Sequence, residues 1–115
     1  MKLELESGRV IRDATAEDIR DHIEGEQFAI LSTDPLTYIQ CAKREEPPPG
    51  YILEYQDGSL DDHYRAVDRA IGLGRLISTF TKYLLGDPSW RSDFPWERTA
   101  ALAQVSVCPE NQMTQ

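Results

Sequence analysis

The residues best equipped for chemistry in this sequence are few, and most of them share one short stretch. Asp57, Asp61, Asp62 and His63 crowd a single predicted loop. Carboxylates and an imidazole at close range are the raw material of a metal site. Their spacing matches neither a calcium loop nor a zinc pattern. Aspartate is also a turn former, so the group predicts an acidic, solvated loop and no metal. General acid–base catalysis needs two groups in one pocket with separated pKa values. The other histidine, His22, lies between Ile19 and Ile23 on a predicted helix, at the edge of the core. No GxSxG turn frames a serine, and nothing pairs Cys41 with a base. The expectation is no catalytic residue and no cofactor.

Binding is the better use for what remains. Trp90, Phe94 and Trp96 follow one another closely. Two tryptophans this near each other either form a binding hot spot or fold back to close the core. Asp87-Pro88-Ser89 sets Trp90 in a turn, so Trp90 is expected to be the more exposed and partner-facing of the two, with Trp96 structural. The second candidate surface is electrostatic. There are 12 basic and 20 acidic residues in 115, a formal net charge of −8. Such a surface repels phosphate backbones and anionic membranes and suits a positively charged protein partner. Its acids collect at two places. One is the loop of Asp57, Asp61 and Asp62. The other is a helix face of Glu17, Asp18, Asp21 and Glu24, opposed by Arg20 alone. The loop is the first choice, because loops on a rigid sheet carry binding residues more often than helix faces do.

The elements that must position these groups read as follows. Leu3 and Leu5 alternate with Lys2, Glu4 and Glu6 as a strand; Ser7-Gly8 turns it, and Val10-Ile11 pairs back. Thr15 and Asp18 form a capping box for a helix carrying Ala16, Ile19 and Ile23, stopped at Gly25. Phe28-Ala29-Ile30-Leu31 is an apolar run of strand length. Asp34-Pro35 turns the chain into a second strand, Leu36 to Cys41. Pro47-Pro48-Pro49 reads as a rigid connection. Tyr51, Leu53 and Tyr55 alternate, Asp57-Gly58 is a turn signal, and His63 to Val67 returns antiparallel. Leu73, Leu76, Ile77, Phe80, Tyr83 and Leu84 share one helical face, with Gly86 at C′ and Pro88 preventing continuation. Helices around a meander of strands imply an α+β, two-layer domain with an antiparallel sheet of about four to six strands and two helices. One domain over residues 1–104 is expected, then a loose tail over 105–115 that holds Cys108. Cys41 reads as a buried small hydrophobe, with no disulfide framework. No stretch resembles a signal peptide or a membrane span, and the expected location is a reducing cytoplasm.

From Gly50 to Arg98 the sequence resembles a family of small bacterial immunity proteins, the first immunity family of the polymorphic-toxin systems. A tyrosine-containing strand (Tyr51-Ile52-Leu53-Glu54-Tyr55) leads to the Asp57-Gly58 turn and a return strand (His63-Tyr64-Arg65-Ala66). An amphipathic helix ends in Tyr83-Leu84-Leu85-Gly86, and a terminal pair, Trp96-Glu97, follows. Asp87-Pro88-Ser89-Trp90 and the long hairpin loop depart from the usual pattern. The resemblance implies a stoichiometric inhibitor of a cognate toxin domain, with Tyr83, Gly86, Trp96 and Glu97 as structural motif residues. It further implies that the toxin acts on nucleic acid, as a deaminase or nuclease does. Such an enzyme needs a basic cleft, which an acidic partner can occupy. Two other roles stay open: an adaptor or chaperone for a different partner, and a small enzyme whose pocket holds His22 or His63.

Overall fold

The structure is a computed structural model, and it describes residues 1–99. The last expected residues of the domain (100–104) and the expected tail (105–115) lie outside the described residues. Chain order is β1 (Lys2–Leu5), β2 (Val10–Ile11), α1 (Ala16–His22), β3 (Phe28–Asp34), β4 (Thr37–Lys43), β5 (Tyr51–Asp57), β6 (His63–Ala66), α2 (Leu73–Leu85), a 3-10 helix (Pro88–Ser92) and β7 (Trp96–Arg98). Among the described residues these strands make one sheet of order β2-β1-β3-β4-β5-β6-β7. Every neighbouring pair is antiparallel. The fold is the expected two-layer α+β arrangement, with one strand more than the expected range. The addition is β7. Three residues reading Trp-Glu-Arg carry too little alternation to announce a strand.

Register builds the core. Leu3 stands beside Leu31, Leu31 beside Ile39, and Ile39 beside Tyr55. In the next row Leu5, Ala29, Cys41 and Leu53 are aligned in the same way. Side chains alternate along each strand, so these residues form one apolar face. All are buried, and they share a single cluster with Ile19 of α1, Ile23 at its C-cap, and Leu76, Phe80 and Tyr83 of α2. Burial pushes the Cys41 thiol up to about 12, so it is a packing group and not a nucleophile.

The caps hold both helices in place. Thr15 Oγ1 accepts from the Asp18 N–H at 3.2 Å, and Asp18 Oδ2 accepts from the Thr15 N–H at 2.9 Å. The capping box is complete. At the far end of α2, Gly86 adopts φ 77°, and its N–H bonds back to Lys82 and Tyr83 carbonyls. A side chain there would be strained. Gly50 is constrained for a different reason. Its φ is 149°, and a Cβ would lie 2.6 Å from the Ala70 carbonyl carbon. That approach lets Tyr51 and Ile71 exchange backbone hydrogen bonds of 2.9 and 3.0 Å. The prolines before it lie in the connection from β4 to β5. Arg44 Nε donates to the Glu46 and Pro48 carbonyls, and Arg44 Nη1 to the Arg69 carbonyl.

Phe80 is fully buried at the centre of this packing. Phe80→Ala should therefore lower unfolding free energy by about 3–5 kcal/mol, the range for a deleted core aromatic. Urea titration of both proteins measures it, and a loss under about 1 kcal/mol would place Phe80 outside the core.

Candidate interaction surface

The acidic loop joins β5 to β6, and most of its charge is already matched. Arg91 Nη2 lies 3.2 Å from Asp57 Oδ2, and Arg98 Nη2 lies 3.5 Å from Asp62 Oδ1. Asp62 also accepts from the Ser59 hydroxyl. Asp61 alone of the three has no hydrogen bond or ion pair among the described residues and is exposed. The acids around α1 differ. Asp18 is used in the cap, which holds its carboxyl below the usual aspartate range through the Thr15 backbone bond first and the Thr15 hydroxyl second. Glu17, Asp21 and Glu24 are exposed and free of any cation among the described residues. The structure thus leaves the helix face, and not the loop, as the larger unmatched acidic surface.

Trp90 is where the sequence reading fails. It is buried at 8% exposure, whereas Trp96 is only partly buried. The turn after Asp87 becomes the first turn of the 3-10 helix, and that helix points Trp90 inward. Its ring meets Tyr55 edge-on at 4.8 Å between centroids and Tyr83 at 5.1 Å. Trp96 packs edge-on to Tyr55 at 4.8 Å and to Trp90 at 5.9 Å. Its indole Nε1–H donates to the Arg91 carbonyl at 2.7 Å. Both tryptophans close the core, and Trp90 offers no partner surface.

The motif residues make internal contacts. Glu97 Oε2 accepts from Arg65 Nη2 at 3.0 Å and Arg65 Nε at 3.3 Å, with Arg69 Nη2 at 3.4 Å. Tyr83 is a buried member of the aromatic cluster, and Gly86 ends α2. Lys82 Nζ reaches both Asp93 oxygens at 3.1 Å, tying the 3-10 helix to α2.

A third surface escaped the sequence reading: the face of the sheet turned away from the helices. Three rows cross it, set by register. Phe28, Ala42 and Ile52 form an apolar row. Ile30, Gln40, Glu54, Arg65 and Glu97 form the second. Ser32, Tyr38, Gln56 and His63 form the third. Gln40 Nε2 donates to Glu54 Oε1 at 2.7 Å, and Tyr38 donates its hydroxyl proton to Gln56 Oε1 at 3.3 Å. The His63 ring is 1% exposed, and neither nitrogen has a hydrogen-bond partner among the described residues. Its Nε2 lies 3.8 Å from Glu54 Oε1, beyond hydrogen-bond reach. His22, the other histidine, lies on α1 and away from this row. Two open grooves run over the face. One of about 810 Å³ lies between Lys2, Arg12, Asp34 and Tyr38. The other, about 520 Å³, lies over Phe28, Ile30, Ala42, Ile52 and Glu54. The signal for this face was present in Phe28-Ala29-Ile30-Leu31. A strand with one wet face alternates; one with no alternation has apolar residues on both faces.

Two measurements check this arrangement. In single-tryptophan variants, acrylamide should quench Trp96 more than Trp90; the reverse order would contradict the packing. The second is the pH dependence of Glu97. Bonding from Arg65, then from Arg69, holds its carboxyl below the usual glutamate range. A carboxyl lowered on folding stabilises the fold above its unfolded pKa, roughly 4.3, and loses that contribution as pH falls through the folded value. Glu97→Gln should therefore be less stable than wild type at pH 7, by a small margin for so exposed a pair. The two should converge at strongly acid pH. A gap independent of pH would remove the carboxylate from the account.

Against known proteins, no family model, no curated protein and no solved structure matches this chain.

Proposed function

We propose that this chain is an immunity-type binding protein that neutralises a cognate bacterial toxin domain by stoichiometric contact, without chemistry of its own. The observation that carries the reading is electrostatic. The chain is charged −8, and Glu17, Asp21 and Glu24 form an exposed acidic run along and just past α1 with no cation partner among the described residues. An enzyme that grips nucleic acid presents a basic cleft, and a fixed acidic surface is complementary to it. The strand, turn, helix and Trp96-Glu97 order supports the same reading through its resemblance to immunity proteins. In this proposal Asp57 and Asp62 contribute little, because Arg91 and Arg98 already hold them at 3.2 and 3.5 Å.

Steering by rim charges acts on association rate and salt dependence more than on dissociation. On this reading a toxin domain is encoded beside this chain's gene, and that domain is the partner to measure, at low and high salt. A Glu17→Gln, Asp21→Asn, Glu24→Gln variant should associate more slowly and show a flatter salt slope. Replacing Asp57, Asp61 and Asp62 by asparagine should change both less. Unchanged affinity and slope in the helix variant would remove α1 from the interface. The absence of any adjacent toxin that this chain binds would overturn the immunity reading and leave the adaptor role.

A further inference from the structure

The His63 ring is 1% exposed, and neither of its nitrogens has a hydrogen-bond partner among the described residues. Buried polar atoms are normally paired, and an exception calls for a cause. Its neighbours in the row are occupied elsewhere. Gln56, opposite His63 in register, accepts from the Tyr38 hydroxyl and donates to the Leu36 carbonyl. The Tyr38 ring lies tilted against the imidazole at 6.3 Å between centroids. Glu54 is the one carboxylate within 4 Å: its Oε1 lies 3.8 Å from His63 Nε2 and accepts from Gln40 at 2.7 Å. Its Oε2 has no hydrogen bond or ion pair among the described residues. Burial first, and the Glu54 charge second, push the Tyr38 phenol up, so the field of this carboxylate reaches into the row. The other charges nearby are spoken for. Arg65, opposite Glu54 in register, bonds to Glu97 of β7, which also accepts from Arg69. Asp62, beside His63 in the chain, is held by Arg98, and Asp61 is exposed on the loop.

A neutral imidazole can stay buried without a partner at modest cost. An imidazolium cannot, because an unpaired charge loses far more on leaving water. The terminal torsion of a glutamate is broad, so Glu54 can keep Gln40 on one oxygen and turn the other to His63. We infer that His63 and Glu54 form a proton-operated clasp between β5 and β6. It is open while the ring is neutral. It closes when the ring takes a proton from solvent and its Nε2–H donates to Glu54. By the ordinary values of the two side-chain types, an imidazolium and a carboxylate coexist between roughly pH 4.3 and 6.5, and histidine is the side chain that changes charge near neutrality. Three register pairs join β6 to β5, and β6 carries β7 on its outer side. A closed clasp therefore tightens the attachment of the β6–β7 edge in mild acid and releases it as pH rises. The clasp does not rest on the immunity reading.

The test follows the intact protein by NMR from about pH 7.5 to about pH 5. The Glu54 carboxyl carbon and the Gln40 side-chain amide should move with the same midpoint as the His63 ring. Protection factors of the β6 amides, which remove the intrinsic pH dependence of exchange, should rise roughly threefold or more on acidification, as a charge-assisted bond partly offset by burial would give. Glu54→Gln leaves Gln40 an acceptor; with its fold checked by the amide spectrum, it should abolish the rise. His22→Gln, on α1 and away from this row, should preserve it. In wild type alone, β6 protection that stays level or falls on acidification overturns the clasp, and so does a Glu54 carboxyl that ignores the His63 midpoint. A rise that survives Glu54→Gln, or that vanishes with His22→Gln, overturns it as well. None of these readouts involves a toxin, so the clasp and the immunity reading fail separately.

Discussion

Helix α2 can bury Leu76, Phe80 and Tyr83 only against a continuous apolar face, and strand register alone creates that face. Leu3, Leu31, Ile39 and Tyr55 line up across four strands, with Leu5, Ala29, Cys41 and Leu53 in the adjoining row. A slip of one residue anywhere in the sheet would send its apolar set to the opposite side. Short, well-defined turns guard against this. Asp34 Oδ1 accepts from the Leu36 N–H at 2.8 Å between β3 and β4. The Asp57 N–H bonds the Asp62 carbonyl at 2.9 Å at the base of the β5–β6 loop. The backbone of that loop is thus part of what fixes the sheet.

The same division governs charge. Arginines of the C-terminal segment, Arg91 and Arg98, neutralise loop acids and lie over aromatic rings. Arg91 sits 5.1 Å from both the Tyr55 and Trp90 rings, and Arg98 sits 5.6 Å from Tyr64. These contacts hold the end of the described chain to the sheet. Glu17, Asp21 and Glu24, on and just after α1, are left without a cation partner among the described residues.

Much of the fold was legible in the sequence because local signals agreed. The Thr15–Asp18 box, the Leu73 to Leu84 face, Gly86 and the alternation in Tyr51-Leu53-Tyr55 each name one structure. The failures lie where tertiary contact overrides a local signal. Asp87-Pro88-Ser89 is a turn by any local rule, but it starts a 3-10 helix whose first buried residue is Trp90. Strand β7 exists because β6 offers an edge, with Tyr64 paired to Arg98 and Ala66 to Trp96. The candidate surfaces were read from the same composition with mixed results. Glu17, Asp21 and Glu24 have no cation partner among the described residues, whereas Asp18 is used in the cap. Asp57 and Asp62 are paired, with arginines 34 and 36 residues away in sequence. The open face went unread, although Phe28 to Leu31 lacks the polar alternation that solvent would impose.

The contact between Gly50 and Ala70 ties together two stretches of chain that seem independent on paper. With the Gly50 Cα packed onto the Ala70 backbone and Arg44 bonded to the Arg69 carbonyl, the proline connection and the β6–α2 connection fit each other like two halves of a clasp. Neither can change length alone without opening the other, because close-packed backbone leaves no slack to absorb an extra residue. In descendants of this gene, insertions and deletions in the two connections should therefore be inherited as pairs.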